Sequence, residues 1–512
     1  MDRTNEQGWR STFAGMTSIG TWIGRHLFSI GFVIYGITAW FSEGYHHPDE
    51  HFQIIEFANY RLGRTPVADL PWEFAAEIRP GLQPMLTYGF LRAAEALGLT
   101  HPFTQVFLLR LLTGWLCLWV FFQWADGLSA ALNDDRVGRG LRWAVVFLWF
   151  MPYLSVRFSS ENLAGLALWS GMLLVLKRNN KGLLLAGVLL GLSFFLRFQM
   201  AFSLLGLGGW LAWQWLAKKP SRLTSGQMGL LLMGGFIALG LGIASDGWLY
   251  GKPVFTAYNY FTANILENKA ADWGVSPWWF YFAQAVITAV PPVGVVGLIL
   301  AGVGFWKHRH HALVWMFIPF LVAHLVVGHK EMRFLYPMVL PVLIAAVWGL
   351  QGGWNADDTG FRTRIRAGNR LPRLILAVGW AAVVINFVLL PVRCLLAAQE
   401  AIPCLHFLYQ TSKSTPHVVF ATEASPYHLV GLEMHFYRSP NVQTVVVESF
   451  NEIEPAADVL LFSRKLTLET APQGIQSERV YAYLPEWILQ FNPNNWQSRS
   501  RIWSVHRFRM DR

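Results

Sequence analysis

Long apolar blocks separated by short polar gaps run through the first three quarters of the chain. A helix that crosses a bilayer needs about 20 mostly apolar residues. Blocks near 24–42, 103–124, 141–157, 160–176, 182–196, 198–217, 226–246, 280–305, 312–327, 334–350 and 374–391 approach that length. The pattern predicts an α-helical polytopic membrane protein with about 11 transmembrane helices. The first block runs into Phe41-Ser42-Glu43 without a small-residue cleavage site, so it reads as a retained span.

The gaps alternate in character. One set is basic: Arg136, Arg139 and Arg142; Lys177, Arg178 and Lys181; Lys218, Lys219 and Arg222; Lys307 and Arg309; then Arg362 to Arg373. The positive-inside rule places these gaps, and the N-terminus with Arg3 and Arg10, in the cytoplasm. The other set then faces outward: the first loop (43–102), the loop 246–279, Gly328–Arg333 and everything after Arg393. The unusual polar clusters collect in this second set, which points to a functional site on the extracytoplasmic face.

After residue 393 the pattern changes. His417–Thr422, Val442–Val447 and Ala457–Phe462 are short apolar runs between polar turns, which read as buried strands. Two parts are expected: a transmembrane portion over 1–393, and a small extracytoplasmic α/β domain over 394–512.

Composition supports the membrane reading. Of 512 residues, 54% are hydrophobic and 14% charged, against about 25% charged in soluble domains. The formal charge of +10 is spread over the gaps and not gathered on one soluble face. Membrane lipids are therefore expected partners and nucleic acid is not. Cys117 reads as a packing residue, while Cys394 and Cys404 could pair in an oxidising compartment. No Cys/His spacing suggests zinc, and no metal or other cofactor is expected. There is no Asn-x-Ser/Thr sequon, which favours a bacterial envelope over a eukaryotic secretory compartment.

Candidate chemistry begins at Gly44-Tyr45-His46-His47-Pro48-Asp49-Glu50-His51-Phe52-Gln53. Pro48 suits the first position of a helix, with acids in the first turn and Gly63 as its stop. Phe52, Ile55, Phe57 and Leu62 give it a partly apolar face, predicting a short helix at the membrane surface. Asp49 and Glu50 sit at the positive end of the helix dipole. They either complement that dipole or include a base for an acceptor hydroxyl. Trp72-Glu73 and Arg79, later in the loop, pair an aromatic face with polar groups, as sugar sites do, or else anchor the loop at the interface. His329-Lys330-Glu331-Met332-Arg333 places three possible cations at one rim of the bilayer, which suits a lipid-borne phosphate or helix-end anchoring. Arg157, Glu161, Arg197 and Asp246 lie at span boundaries, where charges facing a cavity are functional candidates. Trp273, Trp278 and Trp279 read as an interfacial wall.

Together these motifs resemble glycosyltransferase family 22. His47-Pro48-Asp49-Glu50-His51-Phe52-Gln53 with Trp72-Glu73 and Ile78-Arg79 is similar to that family's first luminal loop. His329–Pro337 looks like its second hallmark, and Asp246–Gly251 with Pro277–Phe282 a third. In motif the chain is most similar to the mannosyltransferases that add the third mannose in GPI-anchor assembly. The resemblance implies the GT-C fold, with surface helices in the first loop. It implies a polyprenyl- or dolichyl-phosphate mannose donor, a glycolipid or glycan acceptor, and inversion to an α-glycosidic bond.

By the same resemblance Asp49 is the catalytic base with Glu50 beside it, and His329, Lys330 and Arg333 lie near the donor phosphate, where Arg197 is also expected to contribute. His47, Gln53, Trp72, Glu73, Arg79, Asp246 and Trp278 are the expected substrate contacts. Arg197-Phe198-Gln199 departs from the family's Arg-Pro. With the missing sequons, it points to a bacterial relative at the inner membrane, with a periplasmic site. A eukaryotic member would sit in the endoplasmic reticulum with a luminal site. The competing reading, a transporter or flippase of lipid-linked glycans, would place polar groups near the bilayer midplane and show paired repeats. This chain does neither.

Overall fold

A computed structural model describes residues 23–354, 370–412, 417–421, 425–448, 452, 459–466 and 475–510. The chain gathers into two compact units. One comprises Met1–Trp40, Glu77–Leu82 and Leu109–Leu395; the other comprises Phe41–Ala76, Gln83–Leu108 and Leu396–Arg512.

The first unit is a helical assembly. Among the described residues, four helical stretches are long and apolar enough to cross a membrane: Pro102–Leu132, Ser225–Tyr250, Met332–Gln351 and Leu376–Leu395. Asn180–Leu196, Pro291–Lys307 and Ala312–Val326 are shorter and equally apolar in character. The chain is a multi-pass membrane protein at this level. Two expected spans are interrupted. The block 141–157 breaks after Phe147 and resumes as Met151–Ser155, with Pro152 in the new first turn. The block 280–305 breaks into Phe280–Thr288 and Pro291–Lys307. There Val290 takes φ +66°, and Pro291-Pro292 cannot supply the amide hydrogens that a continuous helix needs.

Small residues set the helix crossings. A Cβ on Gly187 would lie 2.0 Å from the Leu231 carbonyl oxygen, and one on Gly234 2.1 Å from that of Leu184. Helices Asn180–Leu196 and Ser225–Tyr250 therefore touch backbone to backbone. In lipid, where helices gain little by burying apolar side chains, such close packing drives association.

The second unit joins the first loop to the tail. The loop helix runs Pro48–Glu50, passes through a π turn at His51–Ile55, and continues as Glu56–Arg61. It ends where expected, with Gly63 at φ +75°. It is not a half-exposed surface helix, because residues 51–59 are buried on every face.

Among the described residues, seven strands follow in the tail: β1 (His417–Ala421), β2 (His428–Leu429), β3 (Leu432–Glu433), β4 (Val442–Val446), β5 (Val459–Ser463), β6 (Ile475–Ala482) and β7 (Ser504–Met510). Five form a mixed sheet in the order β4-β1-β5-β7-β6, parallel among β4, β1 and β5 and antiparallel at β7 and β6. Every residue of β5 is buried, and Leu461 packs with Phe420, Val447, Val459 and Phe508. Helix Ala401–Thr411 covers β6, with Phe407 stacked on Tyr481 at 4.9 Å. Cys117, Cys394 and Cys404 are all free and buried, so the pairing considered for the last two is not formed. Burial pushes the Cys404 thiol up, further from the reactive thiolate.

Candidate active site

In each unit some of the polar residues singled out in the sequence come together. In the second unit, His47 caps the loop helix. Its Nδ1 accepts from the Asp49 amide at 3.3 Å and lies 3.4 Å from the Asp49 carboxylate. The Asp49 side chain keeps 19% exposure. Glu50 accepts the His46 amide hydrogen at 3.2 Å, so it closes the turn in front of the helix. Four residues after Asp49, Gln53 is buried and donates to the buried Glu73 carboxylate at 2.9 Å. Trp72 stands next to Glu73 and is partly exposed. The structure thus brings Gln53 and Glu73 together and leaves Asp49 at an accessible helix start.

Glu56 was not singled out in the sequence, and it is a buried, heavily hydrogen-bonded carboxylate of this cluster. At 1% exposure it accepts from His51, from the Thr65 hydroxyl, from Asn59, and from the amides of His435 and Phe436. The available signal was an acid one turn after Phe52, on the apolar stripe. Burial alone would raise the Glu56 pKa, but the donors outweigh it and hold the carboxyl below its usual value. A depressed folded-state pKa means that the unfolded chain binds the proton more readily. The stability Glu56 contributes is therefore present above the usual glutamate value of 4.5 and is lost as pH falls through the lower folded value. Thermal unfolding followed from pH 7 downward is expected to show that acid loss, and Glu56→Gln should flatten it.

The first unit holds the other cluster. Glu161, 2% exposed at the start of helix Ser160–Lys177, accepts from Arg197 at 3.1 Å and from Arg333 at 3.2 Å. Arg333 also bonds Glu331, and His329 Nε2 lies 2.9 Å from the same Glu331. Both guanidinium groups lie 5.2 Å from the Phe334 ring centroid. Arg197, Arg333 and His329 are therefore assembled around two carboxylates.

Lys330 is placed differently from its neighbours. Its ammonium donates to the carbonyls of Ser276 at 3.0 Å, Gly328 at 3.4 Å and Val327, and burial lowers its pKa. These contacts tie the His329–Arg333 segment to the preceding loop. Asp246 is fully buried and accepts the Gly81 amide at 2.7 Å and the Thr256 hydroxyl at 2.5 Å. Arg79 is joined through its carbonyl, which accepts the Tyr250 hydroxyl at 2.9 Å. Asp246 therefore holds the irregular segment 77–82 of the first loop. Asp246→Ala would strand one amide and one hydroxyl and cost about 1–3 kcal/mol for each buried group left unsatisfied. Thermal unfolding in detergent reads that loss. Trp278 is 65% exposed, with Trp273 and Trp279 exposed beside it in the sequence. Among the described residues no three His, Cys, Asp or Glu side chains converge as a metal site.

The profile of the Alg9-like mannosyltransferase family matches residues 27–445, taking in both clusters. The chain belongs to that family. Among relatives, the GPI mannosyltransferase 3 of Gibberella zeae is 25% identical over 354 residues, covering 61% of this chain and 57% of its own length. That of Yarrowia lipolytica is 28% identical over 318 residues, covering 59% of this chain and 57% of its own. The chain thus spans a little over half the length of the curated relatives it matches. Both of these are fungal proteins, and the bacterial affiliation expected from the missing sequons finds no support in them. The crystal structure of the Archaeoglobus fulgidus oligosaccharyltransferase aligns with 77% of this chain and 62% of that one, at TM-score 0.43 and 12% identity. That likeness is too weak to bear on fold or function.

Proposed function

We propose that this chain is an inverting mannosyltransferase of the GT-C kind, using a polyprenyl- or dolichyl-phosphate mannose donor. The observation that carries the reading is the family match across residues 27–445, which includes an ordered His47-Pro48-Asp49-Glu50 helix start. Asp49 accepts the proton of an acceptor hydroxyl. The oxygen attacks the anomeric carbon from the face opposite the lipid phosphate, the bond from that carbon to the phosphate oxygen breaks, and a β-linked donor gives an α-linked product. Arg197, Arg333 and His329 balance the phosphate charge before and after departure. Lys330 contributes by holding their segment in place.

Gln53 and Glu73, with Trp72, offer hydroxyl partners and a ring face for a sugar. The name of these relatives, GPI mannosyltransferase 3, suggests a glycolipid acceptor. The site lies on the extracytoplasmic or luminal side of the membrane in this reading. Mass spectrometry of glycolipids in a deletion strain tests it. A species lacking one hexose should accumulate, and an unchanged glycolipid profile would count against the proposal.

A further inference from the structure

We infer that Glu56 is a positioning residue for Asp49, acting through His51 and through tail residues 435–437. The inference rests on reading Asp49 as the base. His51 and Glu56 are five residues apart. An α-helix aligns residues four apart, and a π turn aligns residues five apart. The π turn at His51–Ile55 brings His51 Nε2 to 3.0 Å from Glu56 Oε1, so that the imidazole donates to the carboxylate.

The same oxygen accepts the amide hydrogens of His435 and Phe436, both at 2.9 Å. Oε2 takes the Thr65 hydroxyl at 2.6 Å. The His51 ring stacks on Tyr437 at 5.1 Å and 13°, and the His435 imidazole donates to Asp69 at 2.8 Å. Three consecutive tail residues thus clamp the loop helix from one side. Asp49 is two residues before His51, with no loop between them.

Apolar packing by Phe52 and Phe57, both buried, could anchor this helix by itself. A buried carboxylate with directed bonds fixes rotation and register as well. Those are what a base must hold, since a misplacement of about 1 Å can cost about 100-fold in rate.

A double-mutant cycle on the full-length protein in proteoliposomes separates the roles. The substitutions are Glu56→Ala and Asp49→Asn, and the readouts are mannose transfer per folded molecule and the donor KM. Glu56→Ala is expected to lower kcat about 10–100-fold with little change in KM. Glu56→Gln should restore most of the rate, because its carbonyl oxygen still accepts from His51 and both amides. In the Asp49→Asn background, Glu56→Ala should change residual turnover by no more than about twofold. Should Glu56→Ala fail to fold, His51→Phe replaces it in the cycle, keeping a ring against Tyr437 while removing the bond to Glu56.

Full multiplication of the two losses overturns the positioning role alone. So does lost folded protein with unchanged turnover per folded molecule. Full activity of Asp49→Asn by itself overturns the base assignment, and the positioning role falls with it.

Discussion

Asp49→Asn is expected to lose about 10²–10⁴-fold in kcat, the usual contribution of a general base. At 1.36 kcal/mol per tenfold, that is about 3–5 kcal/mol of barrier. The folded state has much less at stake. Asp49 lies at a helix start with a partly exposed carboxylate, and its charge there contributes about 0.3–1 kcal/mol through the helix dipole. The variant should therefore unfold close to the wild-type temperature while turnover collapses. Glu50 offers a contrast: its carboxylate closes the turn onto the His46 amide. Glu50→Gln keeps an oxygen for that bond and should cost far less rate. Steady-state kinetics beside thermal unfolding of the same preparations check both.

Glu161→Ala should be the most damaging single change to stability. It would leave Arg197 and Arg333 side by side without the carboxylate they share, and both are nearly buried. Breaking a buried ion pair by removing one partner typically costs about 3–5 kcal/mol. Folded proteins are stable by about 5–15 kcal/mol in all, so much of the margin would go. A double change of Glu161→Gln with Arg197→Gln should recover part of the loss, because it removes the uncompensated charge as well as the pair. Equal unfolding temperatures for wild type and Glu161→Ala would show that the triad contributes nothing net.

The helices were legible from apolar runs because every residue facing lipid must be apolar. Their breaks were not. Residues 141–157 and 280–305 stay apolar through the interruption, so only Pro152 and Pro291-Pro292 hinted at it. Strands β1, β4 and β5 showed as apolar runs, and β5 is buried throughout. Strands β6 and β7 carry Glu478, Arg479 and Arg507 and are disguised by that charge.

Asp49, Gln53 and Glu73 stood out as candidates because they are close in the chain and belong to a recognisable motif. Glu56 was missed and Glu161 stood out only as a rim charge, since their partners lie far along the sequence: 379 and 380 positions for the His435 and Phe436 amides, and 172 for Arg333. Lys330 looked like a phosphate ligand from its neighbours alone. Only the fold reveals the carbonyls that take its ammonium.

In the proposed function, mannose moves from a lipid phosphate with Asp49 as base. That transfer is tested most directly by supplying radiolabelled dolichyl- or polyprenyl-phosphate mannose to proteoliposomes of the purified protein, with glycolipid extracted from the deletion strain. Wild type should transfer label into an α-mannosidase-sensitive glycolipid, GDP-mannose should not substitute for the donor, and Asp49→Asn should transfer almost none. Equal transfer by Asp49→Asn, or transfer supported by GDP-mannose alone, would contradict the account.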